Sequence, residues 1–224
     1  MDLTFLTQTP LFRNIQASDI PAMLECLRAR EQTFSKGQTI YEAGDCVTAM
    51  GMVLQGSVQI QRDDFWGHSS ILSTLQPGHM FAETYACVPN QPLMVRVAAA
   101  QDSAILFLET PRLLRVCSNG CGFHHHLVEN LLMISAQKNL ELSRKIACTT
   151  AKTIRGRLLT YLSQQAAQYQ SSSFSIPFNR QQLADYLNVE RSALSNELGK
   201  MQRDGLLQVD GKFFVLTPDA TTEL

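Results

Sequence analysis

The residues best suited to chemistry lie between Asn179 and Leu207, in the run NRQQLADYLNVERSALSNELGKMQRDGLL. Wound as a helix, this run puts Arg191, Ser192, Ser195, Asn196 and Lys200 on the face opposite Leu194, Leu198 and Met201. A guanidinium can donate a pair of hydrogen bonds to guanine, and a carboxamide can pair with adenine. Each such pair is worth about 1 to 3 kcal/mol of discrimination. Arg191, Ser192, Ser195 and Asn196 are therefore the candidate base readers, and Arg180, Lys200 and Lys212 the candidate phosphate contacts.

Those side chains work only if two short helices hold them. The spacing predicts helices over about 180–187 and 190–203, with only Asn188-Val189 between them. Leu183, Leu187, Val189, Leu194, Leu198 and Met201 can share one small core. Ala184 is small where the helices must cross, and Asn188 tolerates the left-handed conformation of a tight turn. This is helix-turn-helix spacing. Asp204-Gly205 then turns the chain into Leu206-Leu207-Gln208-Val209, and Asp210-Gly211 signals a hairpin before Phe213-Phe214-Val215. The expectation is a winged helix, preceded by an amphipathic helix through Ile154, Leu158, Leu159, Tyr161 and Leu162 and a Ser/Gln-rich loop over 168–175.

A second constellation is Cys117-Ser-Asn-Gly-Cys121-Gly-Phe-His124-His125-His126. On a helix, Cys117, Cys121 and His124 share one face, a start for a soft metal or haem site. Gly120 and Gly122 argue against a regular helix there, so buried free thiols beside a polar helix start are the competing reading. His79 could assist from its Pro-Gly turn.

The rest of the chain must supply a sensor or a scaffold. From about 32 to 110, short apolar runs such as Thr39-Ile40-Tyr41, Met52-Val53-Leu54, Val58-Gln59-Ile60, Ile71-Leu72-Ser73, Val95-Arg96-Val97 and Ala104-Ile105-Leu106-Phe107 alternate with Gly37, Gly44, Gly56, Gly67 and Pro77-Gly78. Strands at that rhythm imply a sandwich or barrel. Ahead of them, residues 10–29 read as one short amphipathic helix behind Ala17-Ser18-Asp19. From His124 to Ile146 there is neither Gly nor Pro, and Val128, Leu132, Ser135, Asn139, Leu142 and Ile146 follow a heptad-like seam. Such a helix, roughly 35 Å long, either pairs with a second copy or is simply buried. Leu127, Leu131 and Ile134 form its other apolar face, suited to covering the β domain.

Composition narrows the classes. The 224 residues are 45% hydrophobic and only 17% charged, with a net charge of -1, which excludes a disordered chain and a uniformly basic nucleic-acid coat. The balance is about -2 over residues 1–147 and +1 beyond. No apolar run approaches the roughly 20 residues of a membrane span, and the start lacks a basic signal region. The expectation is a cytoplasmic protein with reduced thiols.

A β-roll, a long helix and a winged helix, with Gly37-x6-Gly44, Pro77-Gly78-x3-Ala82-Glu83 and RSALSNELGKMQRDGLL, together resemble the Crp/Fnr family of bacterial transcription regulators over about residues 8–217. The resemblance implies an α+β chain. Residues 1–122 would form a cyclic-nucleotide-binding-like double-stranded β-helix (a jelly-roll-like β-roll) with an amino-terminal helix, 123–147 a dimerisation helix, and 148–224 the winged helix-turn-helix. It also implies a homodimer on an inverted-repeat operator of double-stranded DNA, with RNA polymerase as a further partner of an activator. Arg191, Ser192 and Asn196 fall at the family's base-reading positions. Asn196 departs from the cyclic-AMP-receptor pattern, which has Arg there, so that operator does not carry over.

The family's nucleotide pocket uses a Glu for the ribose and an Arg with a hydroxyl neighbour for the phosphate. Glu83 matches the Glu, or serves only to satisfy turn amides. Leu93 and Met94 stand where the Arg pair belongs, and Arg96 lies three residues along. Losing a bidentate guanidinium costs several kcal/mol in a dry site, so cyclic AMP is disfavoured. Met80, Phe81, Glu83, Tyr85, Leu93 and Met94 would instead form an apolar effector pocket for a hydrophobic ligand or a haem, or plain core. No cysteine precedes Cys26, so an amino-terminal iron-sulfur cluster is not supported. An enzyme is not expected: His68, His79 and Glu83 do not make a cupin ligand set, and no triad or phosphate loop appears. A regulatory protein acting through protein partners, and a thiol or haem redox sensor of the same family, remain the alternatives.

Overall fold

Side-chain alternation along one strand sets the architecture of the amino-terminal half. In β3 (Ala49–Gln55), Ala49 and Val53 enter one apolar cluster, while Met50 and Met52 enter another. Both faces of its sheet are therefore buried. The computed structural model describes residues 2–63, 66, 69–114 and 122–217 and, for 122 and 123, the backbone alone. Two compact units result, Met1–Ala136 and Gln137–Leu224.

The first unit is an α+β roll with eight strands among the described residues. The others are β1 (Arg30–Phe34), β2 (Thr39–Tyr41), β4 (Val58–Asp63), β5 (Ser69–Leu75), β6 (Met80–Phe81), β7 (Arg96–Ala99) and β8 (Ser103–Glu109). They form two four-stranded sheets, β1-β8-β3-β6 and β2-β7-β4-β5. The antiparallel pairs β1 with β8, β2 with β7, β3 with β6 and β4 with β5 are nested, as in a double-stranded roll wound from the middle outward. Between the sheets sit Phe34, Phe81, Phe107 and Tyr41, with Val53, Val58, Val97, Ala99 and Ile105.

The outer face of the first sheet is covered by α1 (Leu3–Thr7), a 3-10 turn (Pro10–Phe12) and α2 (Ile20–Cys26), along with two short helices elsewhere in the unit, α3 (Glu83–Cys87) and α4 (Thr110–Leu113). The single helix expected over 10–29 is thus split. Asn14 takes a φ of 61°, which interrupts the helical path after Phe12. β1 was not legible because Arg30, Glu31, Gln32 and Thr33 are exposed on an edge strand and carry no apolar alternation.

The long helix α5 runs Gly122–Thr150. Leu127 and Leu131 are buried and Ile134 packs beside them against the roll, as their face predicted. Asn130, also buried, donates through Nδ2 to the carbonyls of Leu11 and Arg13, both at 2.8 Å, and pins the helix to the amino-terminal segment. The helix continues past the boundary expected at 147/148. Thr149 and Thr150 return their hydroxyls to the carbonyls of Lys145 and Ile146, which lets them sit in its last turn.

In the second unit, α6 (Ile154–Tyr169) is capped by Thr153 Oγ1 and leads to β9 (Ser173–Ser175), α7 (Arg180–Leu187), α8 (Arg191–Arg203), β10 (Leu207–Asp210) and β11 (Phe213–Leu216). The loop expected over 168–175 ends in β9, which joins the wing as a third strand in the order β10-β11-β9. Phe174 there is buried against Phe214, ring centroids 6.4 Å apart, and a lone phenylalanine among serines gave no strand periodicity.

Candidate nucleic-acid interface

The helix pair forms where the sequence places it, and local chemistry explains both ends. Asn179 and Gln182 make a reciprocal capping box at the start of α7. Asn188 closes it with φ 53°, while the Val189 amide reaches back to the Ala184 carbonyl at 3.0 Å. Ala184 is fully buried. Glu190, expected inside the second helix, is its cap: the carboxylate accepts from the Ala193 amide at 3.1 Å and from the Ser192 hydroxyl. These bonds hold the Glu190 carboxyl below the usual carboxylate range.

Leu194, Leu198 and Met201 are buried under α8, while Arg191, Ser192, Ser195, Asn196, Lys200 and Arg203 are exposed on its other side. The acids of this region are withdrawn from that face. Glu190 is spent on the cap. Glu197 and Asp204 both accept from Arg155 of α6, at 2.7 and 2.6 Å, and these bonds raise the Arg155 pKa further. The exposed face is left with cations, hydroxyls and a carboxamide. Lys200 Nζ lies 3.6 Å from Glu197 and keeps most of its side chain in solvent. Two of the candidate readers have their hydroxyls engaged: Ser192 with Glu190, and Ser195 with the Arg191 carbonyl at 3.0 Å. Arg191 and Asn196 are the less encumbered pair.

Arg157 carries a role that a count of charges does not reveal. Its Nη1 donates to the carbonyls of Leu187 and Asn188 at 3.0 and 2.9 Å, and its Nε to Ala151 at 2.9 Å. One planar cation thereby ties the turn between α7 and α8 to the end of α5. At the wing, Lys212 Nζ donates to the Pro177 carbonyl at 2.8 Å, and the Arg180 guanidinium stacks 5.4 Å above the Phe214 ring. Burial lowers the Arg180 pKa. Of the three phosphate candidates, Lys200 and Lys212 are exposed, Lys212 being tethered at the hairpin tip, and Arg180 doubles as a packing element.

The six seam residues of α5 are all exposed, with Leu132, Leu142 and Ile146 at 68%, 61% and 63%. Met133 and Leu140 are exposed beside them, at 60% and 52%, and widen the apolar stripe beyond the heptad positions.

The six residues expected to line an effector pocket are not brought together. Met80 and Phe81 are neighbours on β6, so they point to opposite faces: Met80 enters the core under α1 and α2, and Phe81 enters the roll. Met94 is 73% exposed, whereas Leu93 and Glu83 are buried and Tyr85 is half-buried. Phe81 meets Tyr41 and Phe107 edge-on at centroid distances of 6.2 and 6.4 Å, and Phe34 meets Phe107 at 6.2 Å. Burial pushes the Tyr41 phenol up to about 12, and its hydroxyl donates to the Ala49 carbonyl. Arg96 opens β7. It pairs across β4 and β7 with Gln61, one residue out of phase with the inward Ile60 and Val97, and its Nη2 donates to Gln61 Oε1 at 2.6 Å. Aromatic rings thus fill much of the space between the sheets.

Cys117 and Cys121 lie outside the described residues. Among the described residues no group of three or more His, Cys, Asp or Glu is placed to hold a metal ion. His124 is buried, and its Nε2 lies 3.8 Å from the sulfur of Cys26, a residue the sequence had not singled out. No described helix is long and apolar enough to cross a membrane.

Residues 31–119 match the sequence profile of the cyclic nucleotide-binding domain, and residues 156–221 that of the Crp-like helix-turn-helix domain. The transcriptional activator protein FnrA of Stutzerimonas stutzeri is 21% identical over 208 residues, covering 91% of this chain and 82% of that one. Among solved structures, the catabolite activator protein of Thermus thermophilus superposes with a TM-score of 0.51 at 20% identity, covering 96% of this chain and 97% of its own. The c-di-GMP responsive global regulator CLP of Xanthomonas campestris gives 0.53 at 18% identity, covering 90% and 99%.

Proposed function

Because the chain belongs to the Crp/Fnr family of transcription regulators, we propose that it binds a specific inverted-repeat operator as a homodimer, under control of an effector other than cyclic AMP. The observation that carries the DNA reading is the exposed face of α8, where Arg191, Ser192, Ser195, Asn196 and Lys200 are presented while Glu190, Glu197 and Asp204 are held in caps and ion pairs. Arg191 and Asn196 read bases, and Lys200, with Lys212 on the wing, contacts phosphates. The two recognition helices of a dimer then enter successive major-groove half-sites about one helical turn apart.

Dimerisation through α5 is supported by the exposed seam: a large apolar stripe on a helix whose opposite face is already committed to the roll needs a partner surface. Polar Ser135 and Asn139 in its middle would fix register. Against cyclic AMP stand the aromatic filling of the roll, the outward register of Arg96, and Leu93 and Met94 in place of a phosphate-binding pair. The protein is proposed to work in the cytoplasm, with RNA polymerase as a partner if it activates.

Selection of binding sites from a random duplex library tests this reading. The account expects a two-fold symmetric consensus. Lys200→Ala should weaken binding to all sequences and lower the salt slope by about 1. Enrichment of no symmetric site would refute it.

A further inference from the structure

The chain carries six cysteines, and the four whose placement is described form a graded series. Cys148 is fully buried, with its thiol donating to Gln164 Oε1 at 3.4 Å, and burial raises its pKa. Cys87 is half-buried and likewise raised, by burial and by Glu83. Cys46 is exposed. Cys26 alone among these four faces an imidazole: it ends α2, and His124 Nε2 of α5, 98 residues away in sequence, stands 3.8 Å from its sulfur. Arg112 Nη1 donates to the Cys26 backbone carbonyl at 3.4 Å and brings a positive charge to the same residue. Half-buried, Cys26 keeps access to solvent.

We propose that Cys26 and His124 form a peroxide-reactive thiol site at the joint between α2 and α5. The Cys26 proton passes from Sγ to His124 Nε2, and the thiolate attacks one oxygen of a hydroperoxide. An S–O bond forms as the O–O bond breaks. The sulfur loses two electrons and the peroxide gains them, and the leaving hydroxide or alkoxide takes the proton from the imidazolium. The products are a cysteine sulfenic acid and water or an alcohol. The added oxygen has to be accommodated in a packed joint. His124 lies one helical turn from Leu127 and two from Leu131, the two buried leucines that seat α5 on the roll, and Val128 and Leu132 of the proposed dimer seam occupy the same turns. Oxidation therefore bears on the seat of the helix that would pair the subunits. This regulatory consequence rests on the DNA-binding reading above, whereas the reactivity does not.

The test uses the full-length reduced protein and limiting hydrogen peroxide at pH 7.5, with sulfenic acids trapped by a dimedone probe and each cysteine quantified by peptide mass spectrometry. With an imidazole nitrogen 3.8 Å from its sulfur to take the proton, Cys26 should react severalfold faster than Cys46 in spite of its lower exposure. His124→Asn should bring Cys26 below Cys46. If Cys46 outpaces Cys26 in the unsubstituted protein, the site is refuted, and that comparison needs no variant to fold. In a gel-shift with a selected operator, peroxide should lower affinity in the unsubstituted protein and leave Cys26→Ser unaffected. Full sulfenylation of Cys26 with unchanged affinity would overturn the relay. Failure of the reduced protein to bind any selected duplex would count against the DNA-binding reading alone.

Discussion

Gly51 faces Phe81 across β3 and β6, and a methyl group added there would lie 2.6 Å from two ring carbons of Phe81 and closer still to a third. Ordinary carbon contacts are about 3.5 to 4.0 Å, so in Gly51→Ala the ring must retreat by roughly 1 Å. It has little room: Phe81 is 3% exposed, with Tyr41 and Phe107 edge-on against it. Overpacking of this kind costs about 1 to 3 kcal/mol, partly offset by the gain of replacing a strand glycine. Phe81→Leu removes the ring and carries its own cost of about 1 to 2 kcal/mol as a large-to-small change. In that background Gly51→Ala should cost less than about 0.5 kcal/mol, giving a favourable coupling of about 1 to 2 kcal/mol. Native-state hydrogen exchange of the four full-length proteins, followed in peptides from β3 and β8, measures each corner of the cycle. Additivity within about 0.5 kcal/mol would refute the claim that this ring fills the roll above Gly51, and with it a main ground for rejecting a nucleotide between the sheets.

Other outcomes follow from single contacts. Arg157→Met removes three hydrogen bonds to backbone carbonyls, and the DNA-binding unit should lose about 2 to 4 kcal/mol in urea denaturation; Arg157→Lys should recover less than half, and full recovery would deny the forked geometry. Leu142→Asp places a charge in the exposed seam, so sedimentation should report monomer where the unsubstituted protein is dimeric, with the far-UV spectrum unchanged. Glu190 has a folded pKa below its unfolded value, so its contribution to the start of α8 is present above the ordinary carboxylate range and lost as pH falls through the depressed folded pKa. An NMR titration of the Ala193 amide should therefore show its transition below the pH of a free glutamate, and a transition at the free value would exclude the cap.

Much of the second unit was legible because its signals are local. Capping residues, a left-handed asparagine and a glycine hairpin each act within four residues, and the bounds of α7 match the expectation. The roll was legible as a rhythm of strands but less so in detail. Edge strand β1 has polar, exposed side chains, and β9 owes its place to Phe174 packing on a residue 40 positions away in sequence. The grouping of Met80 with Phe81 was not legible for a related reason. Met80 and Phe81 are adjacent in sequence, yet strand alternation sends them into different cores, and only the three-dimensional pairing of β6 with β3 shows this. Arg155 and Arg157 add to the positive balance of the second half, but their side chains are committed to acids and backbone carbonyls of the fold. Cys26 and His124 meet across 98 residues, beyond the reach of any local pattern.

The central claim is that the exposed face of α8 reads bases, and Arg191→Ala tests it most directly. Binding of this variant and of the unsubstituted protein would be measured by fluorescence anisotropy, at one salt concentration, on the selected operator and on duplexes substituted at each half-site position. The account predicts a loss of about 1 to 3 kcal/mol on the operator, concentrated as relaxed discrimination at one position in each half-site, with the fold intact. Unchanged discrimination at every position would contradict it.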